Sequence, residues 1–335
     1  MKGLTVVRPF VGKYRDVPSE ASVLQVAHDG WEGYALGEGV FPAYSDIDAH
    51  AMAQAAVDLA VRRVIAGGAR PDRIAALDNY CWPDPLPGPG NPDAEHKLAQ
   101  LVRASRGLAE ACLAYEVPLV SGKDSMKNDA VMGGRRISIP PTLLVSAIGL
   151  VDDVRRAMTL EPGGPGELLV AVGETREELG GTEWAARRGL APATVPRANP
   201  RAWAARYRAV AALVAAGLVR AVAVPARGGM LPAMFRMARA GDLGLAVDLS
   251  QLPADRGVSW EARAFGESLG RFLLAVRKER VAEVLDALAG EPAAIVGEFT
   301  AGRRLDVRLG DRHLVRADVG ELAAVFTGRR PAGRA

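Results

Sequence analysis

Apolar and polar positions along the chain fall into two blocks. In the first, VLQVAHDGWEGYAL places two short apolar stretches around Asp29-Gly30, a turn dipeptide, and predicts a β-hairpin. A helix is expected after Asp46, an N-cap residue, with Met52, Ala56, Leu59 and Ile65 in its apolar body and Gly67-Gly68 at its end. RIAALD, Arg73 to Asp78, has the length and continuous apolar character of a buried strand. The loop PDPLPGPGNP follows, and Asn91-Pro92 predicts the start of a second helix. That helix runs to about Tyr115, with Leu98, Leu101, Leu108 and Cys112 on one stripe. Strands are expected at Val117 to Val120 and at Ile137 to Leu150, the latter broken near Pro140-Pro141. If the strands around the second helix are parallel, Asp78 and Ser121–Ser125 share the carboxyl edge of a sheet and face one crevice.

A break falls at EPGGPGE, Glu161 to Glu167. The second block opens with LLVAVG, Leu168 to Gly173, as a strand. Helices are expected at Arg201–Ala216, Leu231–Arg239 and Arg280–Leu288, and strands at Leu243–Leu249 and Phe272–Val276. This alternation predicts a mixed α/β or α+β unit. No internal repeat is present, and the terminal TGRRPAGRA is expected to be a disordered basic tail.

The 335 residues are enough for two domains with sizeable cores. Hydrophobic residues make up 49 % and charged residues 24 %, the balance of a soluble globular protein. With aromatic residues at only 5 %, the core must be mainly Ala, Val and Leu. No apolar run is long enough for a membrane span, and MKGLTVVRPFVGKYRD lacks the apolar stretch of a signal peptide. Cys81 and Cys112 form no metal-ligand or disulfide framework, so a reducing cytoplasm is the default compartment. The net charge of +3 is too small to argue for nucleic acid.

SGKDSMKND, Ser121 to Asp129, is the most polar stretch in an apolar setting. There a glycine permits close approach, Lys123 suits a phosphate, Asp124 a cation or hydroxyl, and Ser125 supplies a hydroxyl. It is not a Walker A loop, because Val117 stands where the first glycine is needed and Asp124 follows the lysine. A solvated turn is the competing reading. In LDNYCWPDP, Asp78 ends a buried strand, where a carboxylate needs a cation, a donor or a ligand; capping the next loop is the alternative. Cys81 reads as a small core residue. His28, His50, His96 and His313 show no metal-ligand spacing, and no GxSxG elbow occurs.

The segments PSEASVL, YSDIDAH, RIAALDNYCWPDP, VPLVSGKDSMKND, ISIPPTLLVSAIGLVDDVRR and VGETREELGGTEW, in that order, resemble the C-terminal half of the phosphoribosylformylglycinamidine synthases. These belong to the aminoimidazole ribonucleotide synthase-related superfamily. The resemblance implies an α+β protein: a mixed-sheet A domain over residues 18–158 and an α/β B domain over 159–327. It implies a second-half component of an ATP-dependent amide-to-amidine ligase of purine synthesis. Formylglycinamide ribonucleotide, ATP and ammonia would be the reactants, with ATP and magnesium held mainly with a partner half. The partner would be an N-terminal half or a second copy, with a glutaminase subunit supplying ammonia. Asp78 and Gly122 match nucleotide-side positions; Ser125 and Lys123 match substrate-side positions. Lys123 stands where small forms carry a magnesium-binding Asn, and no metal ligand is assigned. No catalytic residue is expected on this chain, because the family's catalytic histidine and glycine-rich ATP segment belong to the other half.

The resemblance also shows losses. Where the family reads His-Asp-x-Ser-Asp/Glu-Gly-Gly, this chain reads AVPARGG, with Ala223, Val224, Ala226 and Arg227 in place of polar residues. Leu59 and Arg63 replace the Glu and Asn that serve an auxiliary nucleotide and its magnesium. FGESLGRFLLAV, with Glu267, keeps the family's pattern. A non-catalytic structural or assembly paralogue is therefore the rival reading, and a self-sufficient homodimeric kinase or synthase a third.

Overall fold

The computed structural model describes residues 3–328; the end of the basic tail lies outside them. The chain enters through β1 (Thr5–Val7), the short ribbon of β2 (Phe10–Val11) and β3 (Val17–Pro18), and then β4 (Ser22–Gln25) and β5 (Gly33–Val40). The last two form the expected hairpin, with Leu24 opposite Tyr34. Helix α1 spans Ala49–Ala66. Its N-cap is Asp48 rather than Asp46: the Asp48 carboxylate accepts from the N–H groups of His50 and Ala51. Nearly every residue of α1 is buried, which its alanine content permits. One side lies on a glycine floor, where a Cβ on Gly39 would meet the Ala56 carbonyl at 1.9 Å.

Strand β6 (Ile74–Cys81), helix α2 (Ala94–Tyr115) and strand β7 (Leu119–Ser125) form the expected parallel crossover unit. Two local expectations fail. Helix α2 starts after Asn91-Pro92, because the Asn91 amide holds the loop instead, donating to the carbonyls of Asp84 and Leu86 while its oxygen accepts from Lys97 Nζ. Leu98 is exposed rather than part of the buried stripe. The broken strand near Pro140-Pro141 becomes two. β9 (Arg135–Ser138) pairs with β8 (Asp129–Met132) as a separate ribbon, and β10 (Thr142–Val151) joins the main sheet. The six-stranded order is β1-β4-β5-β10-β6-β7. Helices α1 and α2 cover one face. The other presents Leu36, Leu77, Ile148 and Leu150, each more than a third exposed.

The second sheet has seven strands, ordered β12-β14-β11-β15-β13-β16-β17. In chain order its part comprises β11 (Leu168–Val172), α3 (Glu183–Arg188), α4 (Pro200–Ala215), β12 (Ala221–Ala223), α5 (Met230–Gly241), β13 (Gly244–Asp248), α6 (Trp260–Phe265), β14 (Phe272–Val276), α7 (Val281–Ala287), β15 (Ala293–Thr300), β16 (Arg304–Leu309), β17 (Arg312–Asp318) and α8 (Val319–Phe326). Both faces are covered. Val170 and Val172 join the core under α4, while Leu169 and Ala171 join the core under α5 and α8. One parallel pair occurs in each large sheet, β6–β7 and β13–β16, so both sheets are mixed, as expected. No helix among the described residues is long and apolar enough to cross a membrane.

The two sheets meet across a polar seam. Arg62 of α1 is fully buried and pairs with Asp58 at 2.7 Å. It also donates to the carbonyls of Pro225 and Arg271 at 3.0 and 3.1 Å. Asp58 accepts from the hydroxyls of Tyr115 and Tyr207, whose rings stack with centroids 5.2 Å apart. The N-terminal segment straps the same halves together through Arg239–Asp16 and Lys13–Asp242. Removing one partner of such a pair strands a buried charge. Asp58→Ala is expected to cost about 3–5 kcal/mol in urea denaturation; a loss under about 1 kcal/mol would mean that the seam is not a stabilising contact.

Candidate functional site

The site grows from the register of β6 on β7. Asp78 lies opposite Gly122, and Tyr80 opposite Asp124. Strand β7 continues through Ser125, so Ser121–Ser125 is an edge strand and not the turn that the sequence suggested. Its backbone is therefore pleated, and side chains alternate. Asp78, Gly122 and Asp124 share the helix-covered face, where the Tyr80 hydroxyl reaches Ser105 of α2. Lys123 and Ser125 lie on the opposite face with Asn79 and Cys81. The residues expected to face one crevice thus lie at one sheet edge but on two faces.

Gly122 is explained by Asp78. A Cβ at position 122 would lie 2.7 Å from Asp78 Oδ1, so only glycine leaves the carboxylate its place. Among the described residues no Lys or Arg pairs with Asp78. Partial burial, followed by the nearby Asp124 charge, pushes its carboxyl above the ordinary range. A half-buried carboxylate that keeps this cost has the character of a group awaiting a cation or a hydrogen-bond donor. Asp124 was expected in the same crevice as Asp78, together with Lys123 and Ser125; the strand running through Ser125 puts only 122 and 124 on Asp78's face. On the open face, Ser125 Oγ lies 3.3 Å from Asn128 Oδ1. Arg136 closes the neighbouring loop by binding Asp84 at 3.0 Å and Asp129 at 2.6 Å.

The eroded positions converge at the seam. Val224 and Leu59 are buried apolar packing, and Ala226 lies beside them, 8 % exposed. The carboxylates nearby are already engaged. Asp58 holds Arg62 and the two tyrosines; Glu20 accepts from Arg236 at 2.7 Å and from the Val224 N–H at 3.1 Å. Glu267 accepts from two backbone N–H groups and Tyr44. Magnesium takes oxygen ligands in near-octahedral geometry. Apart from Glu20 Oε2, buried without a hydrogen-bond partner 3.8 Å from Arg63 Nε, the oxygens here are turned to arginines, hydroxyls and amides, and one free carboxylate oxygen does not make the ligand set of an auxiliary nucleotide–magnesium group.

This α+β pair of mixed sheets is the fold of a class of synthase-related proteins built from an N-terminal and a C-terminal domain. The chain belongs to the AIR synthase related proteins, whose N-terminal domain matches residues 19–151 and whose C-terminal domain matches residues 164–310. A relative, the phosphoribosylformylglycinamidine synthase subunit PurL of Methanocaldococcus jannaschii, is 32 % identical over 325 residues. The match takes in 95 % of this chain and 41 % of that protein, so the chain spans about two fifths of the relative's length. Among solved structures, T. maritima PurL complexed with FGAR superposes with a TM-score of 0.74 at 18 % identity, over 98 % of this chain and 50 % of that one. T. maritima PurL complexed with ATP gives 0.71 at 17 % identity, over 97 % and 48 %. At these identities the structures establish the fold.

Two outcomes test the site. Gly122→Ala should cost about 1–3 kcal/mol by crowding Asp78. In an Asp78→Ala background most of that loss should vanish, a coupling of about 0.5–3 kcal/mol in a double-mutant cycle of urea melts. The Asp78 carboxyl is raised in the folded chain, so its contribution is fully present below the ordinary carboxylate range and is lost as pH climbs through the raised value. Asp78→Asn should therefore change Tm more favourably at pH 7 than at pH 4.

Proposed function

We propose that the chain is the second-half component of a phosphoribosylformylglycinamidine synthase, with residues 18–158 and 159–327 as its two functional domains. In this reading the complex amidates formylglycinamide ribonucleotide using ATP, magnesium and ammonia, in purine biosynthesis. A glutaminase subunit releases the ammonia. The observation that carries the reading is the Asp78 carboxylate held over Gly122 midway along the β6–β7 pair, beside Asp124. Asp78 and Gly122 sit on the nucleotide side, with Asp78 available to a cation or donor, while Lys123 and Ser125 hold the substrate's phosphate from the other face. Lys123 would supply a cation and Ser125 a donor, the two groups a phosphate needs.

The chain supplies no catalytic acid or base of its own in this reading. Its contribution is binding and orientation, and the reacting groups come from the partner. The unpaired sheet face of Leu36, Leu77, Ile148 and Leu150 supports an N-terminal half, or a second copy, docking there. The relative from Methanocaldococcus jannaschii supports the same arrangement, since this chain covers only 41 % of it.

The reconstituted complex should turn over formylglycinamide ribonucleotide with ATP, magnesium and ammonium, and Asp78→Ala should lower that rate at least about tenfold. The purified chain alone should be inactive. Turnover of ~1 s⁻¹ or more by the isolated chain would overturn the half-site reading. Sedimentation at tens of micromolar should show association with itself or the partner half; a persistent monomer in both cases would remove the sheet face as the interface. The rival, a non-catalytic assembly paralogue, is favoured by the filled seam alone, and it forecasts no activity even with the partner.

A further inference from the structure

Strand β7 ends at Ser125, and Lys127, with φ of +60°, turns the chain back so that Asn128 returns to it. The Ser125 carbonyl accepts twice, from Asn128 Nδ2 at 2.7 Å and from the Trp82 N–H at 2.8 Å. The Asn128 N–H donates in turn to the Trp82 carbonyl at 3.0 Å. Trp82 is fully buried, and its indole N–H is spent on the Lys97 carbonyl. The next residue is also held: Asp129 Oδ2 accepts from Arg136 at 2.6 Å and from the Asp84 N–H at 3.1 Å. The backbone of Asn128 is thus fixed on both sides, and its side chain has one place to go.

The partners set the orientation of the amide. A carbonyl only accepts, so the Asn128 nitrogen faces the Ser125 carbonyl and its oxygen is left for the Ser125 hydroxyl, 3.3 Å away. One short side chain therefore grips both polar groups of Ser125, but unequally. The bond to the carbonyl is short and fixes the end of the strand. The bond to the hydroxyl is longer than the roughly 2.5–3.0 Å of a close O–H···O contact. It keeps the oxygen turned to one side without holding the hydrogen tightly. A phosphate oxygen carries charge and is the stronger acceptor, so it can take that hydrogen by a rotation of the hydroxyl alone. Among the described residues the Ser125 hydroxyl has no other partner.

We propose that Asn128 is a positioning residue of the substrate-phosphate site: it aims the Ser125 oxygen on the face shared with Lys123 and yields the hydroxyl hydrogen when the phosphate arrives. The inference rests on the amidation reading, which places that phosphate on Lys123 and Ser125. Asn128 does not touch the phosphate in this arrangement. Its effect must pass through Ser125 and appear in the binding of formylglycinamide ribonucleotide. A residue that only braced the turn would lower stability and leave KM where it was.

The experiment is steady-state kinetics of the reconstituted complex, with ATP, magnesium and ammonium saturating and the ribonucleotide varied. Ser125→Ala should raise KM for the ribonucleotide about tenfold or more. Asn128→Ala should raise it on the order of fivefold, with kcat and the KM for ATP within about twofold of the parent. Added to Ser125→Ala, Asn128→Ala should raise KM by less than about twofold more, because the group it acts through is gone. Should the alanine variant not assemble, Asn128→Asp replaces it at the same size. It turns an acceptor toward the Ser125 carbonyl and sets a negative charge near the phosphate, so KM should rise at least as far. The inference alone is overturned if Ser125→Ala raises KM and the Asn128 variant does not, or if the two effects multiply in full. An unmoved KM in Ser125→Ala, or a complex without turnover, overturns the phosphate placement and this inference with it.

Discussion

The fold depends on the buried Asp58–Arg62 pair. Arg62 cannot enter the interior unless its guanidinium finds acceptors, and helix α1 supplies only one, four residues earlier. The others are the carbonyls of Pro225 and Arg271, both from the part built on the second sheet. Asp58 in turn needs Tyr115 of α2 and Tyr207 of α4. The charge pair therefore admits one docking arrangement of the sheets. A shifted docking would leave a buried guanidinium without acceptors, a cost well beyond what apolar packing of the same surface could offset.

This constraint also keeps the cleft between the sheets closed. Val224, Ala226 and Leu59 are buried there and offer no side-chain oxygen. Arg62 and Arg236 bind Asp58 and Glu20, Glu267 binds Tyr44 and two backbone N–H groups, and the apolar residues fill the remaining space. The exposed sheet edge is different. There Asp78 keeps an unmatched charge and Gly122 keeps room for it, features that packing alone does not require.

Much of this was legible from residue order. The hairpin at Asp29-Gly30, the crossover unit and strand Phe272–Val276 follow from turn chemistry and apolar runs. The Asp48 cap escaped because Asp46 lies two residues earlier with equal capping chemistry, and only the fold of Pro42–Ser45 decides between them. Strand β7 was cut short because Ser-Gly-Lys-Asp-Ser has the composition of a turn; pairing with β6 overrides that preference. Strands β16 and β17 were missed because RLDVRL and RHLVRAD carry charges on one face, a pattern easily taken for surface loop. That Asp78 lies on this strand was legible, but not that the strand runs three residues past it to Cys81, since Asn-Tyr-Cys before Trp-Pro reads as the start of a loop. That Lys123 and Ser125 face away from Asp78 was not legible either, since a side chain's face depends on the strand continuing.

The distance in sequence between Arg62 and its acceptors has a consequence for synthesis. Arg62 and Arg271 are 209 residues apart. At ribosomal speeds of about 5–20 residues per second, Arg62 emerges roughly 10 to 40 s before its last acceptor exists. During that interval α1 carries a cation with nowhere dry to go, so its face toward the seam must stay hydrated. The first sheet can assemble on α1 early, but closure of the helix's seam face has to wait for the far half of the chain. A nascent chain that stalls between the two positions would present this wet, alanine-lined helix to whatever chaperone or protease meets it first.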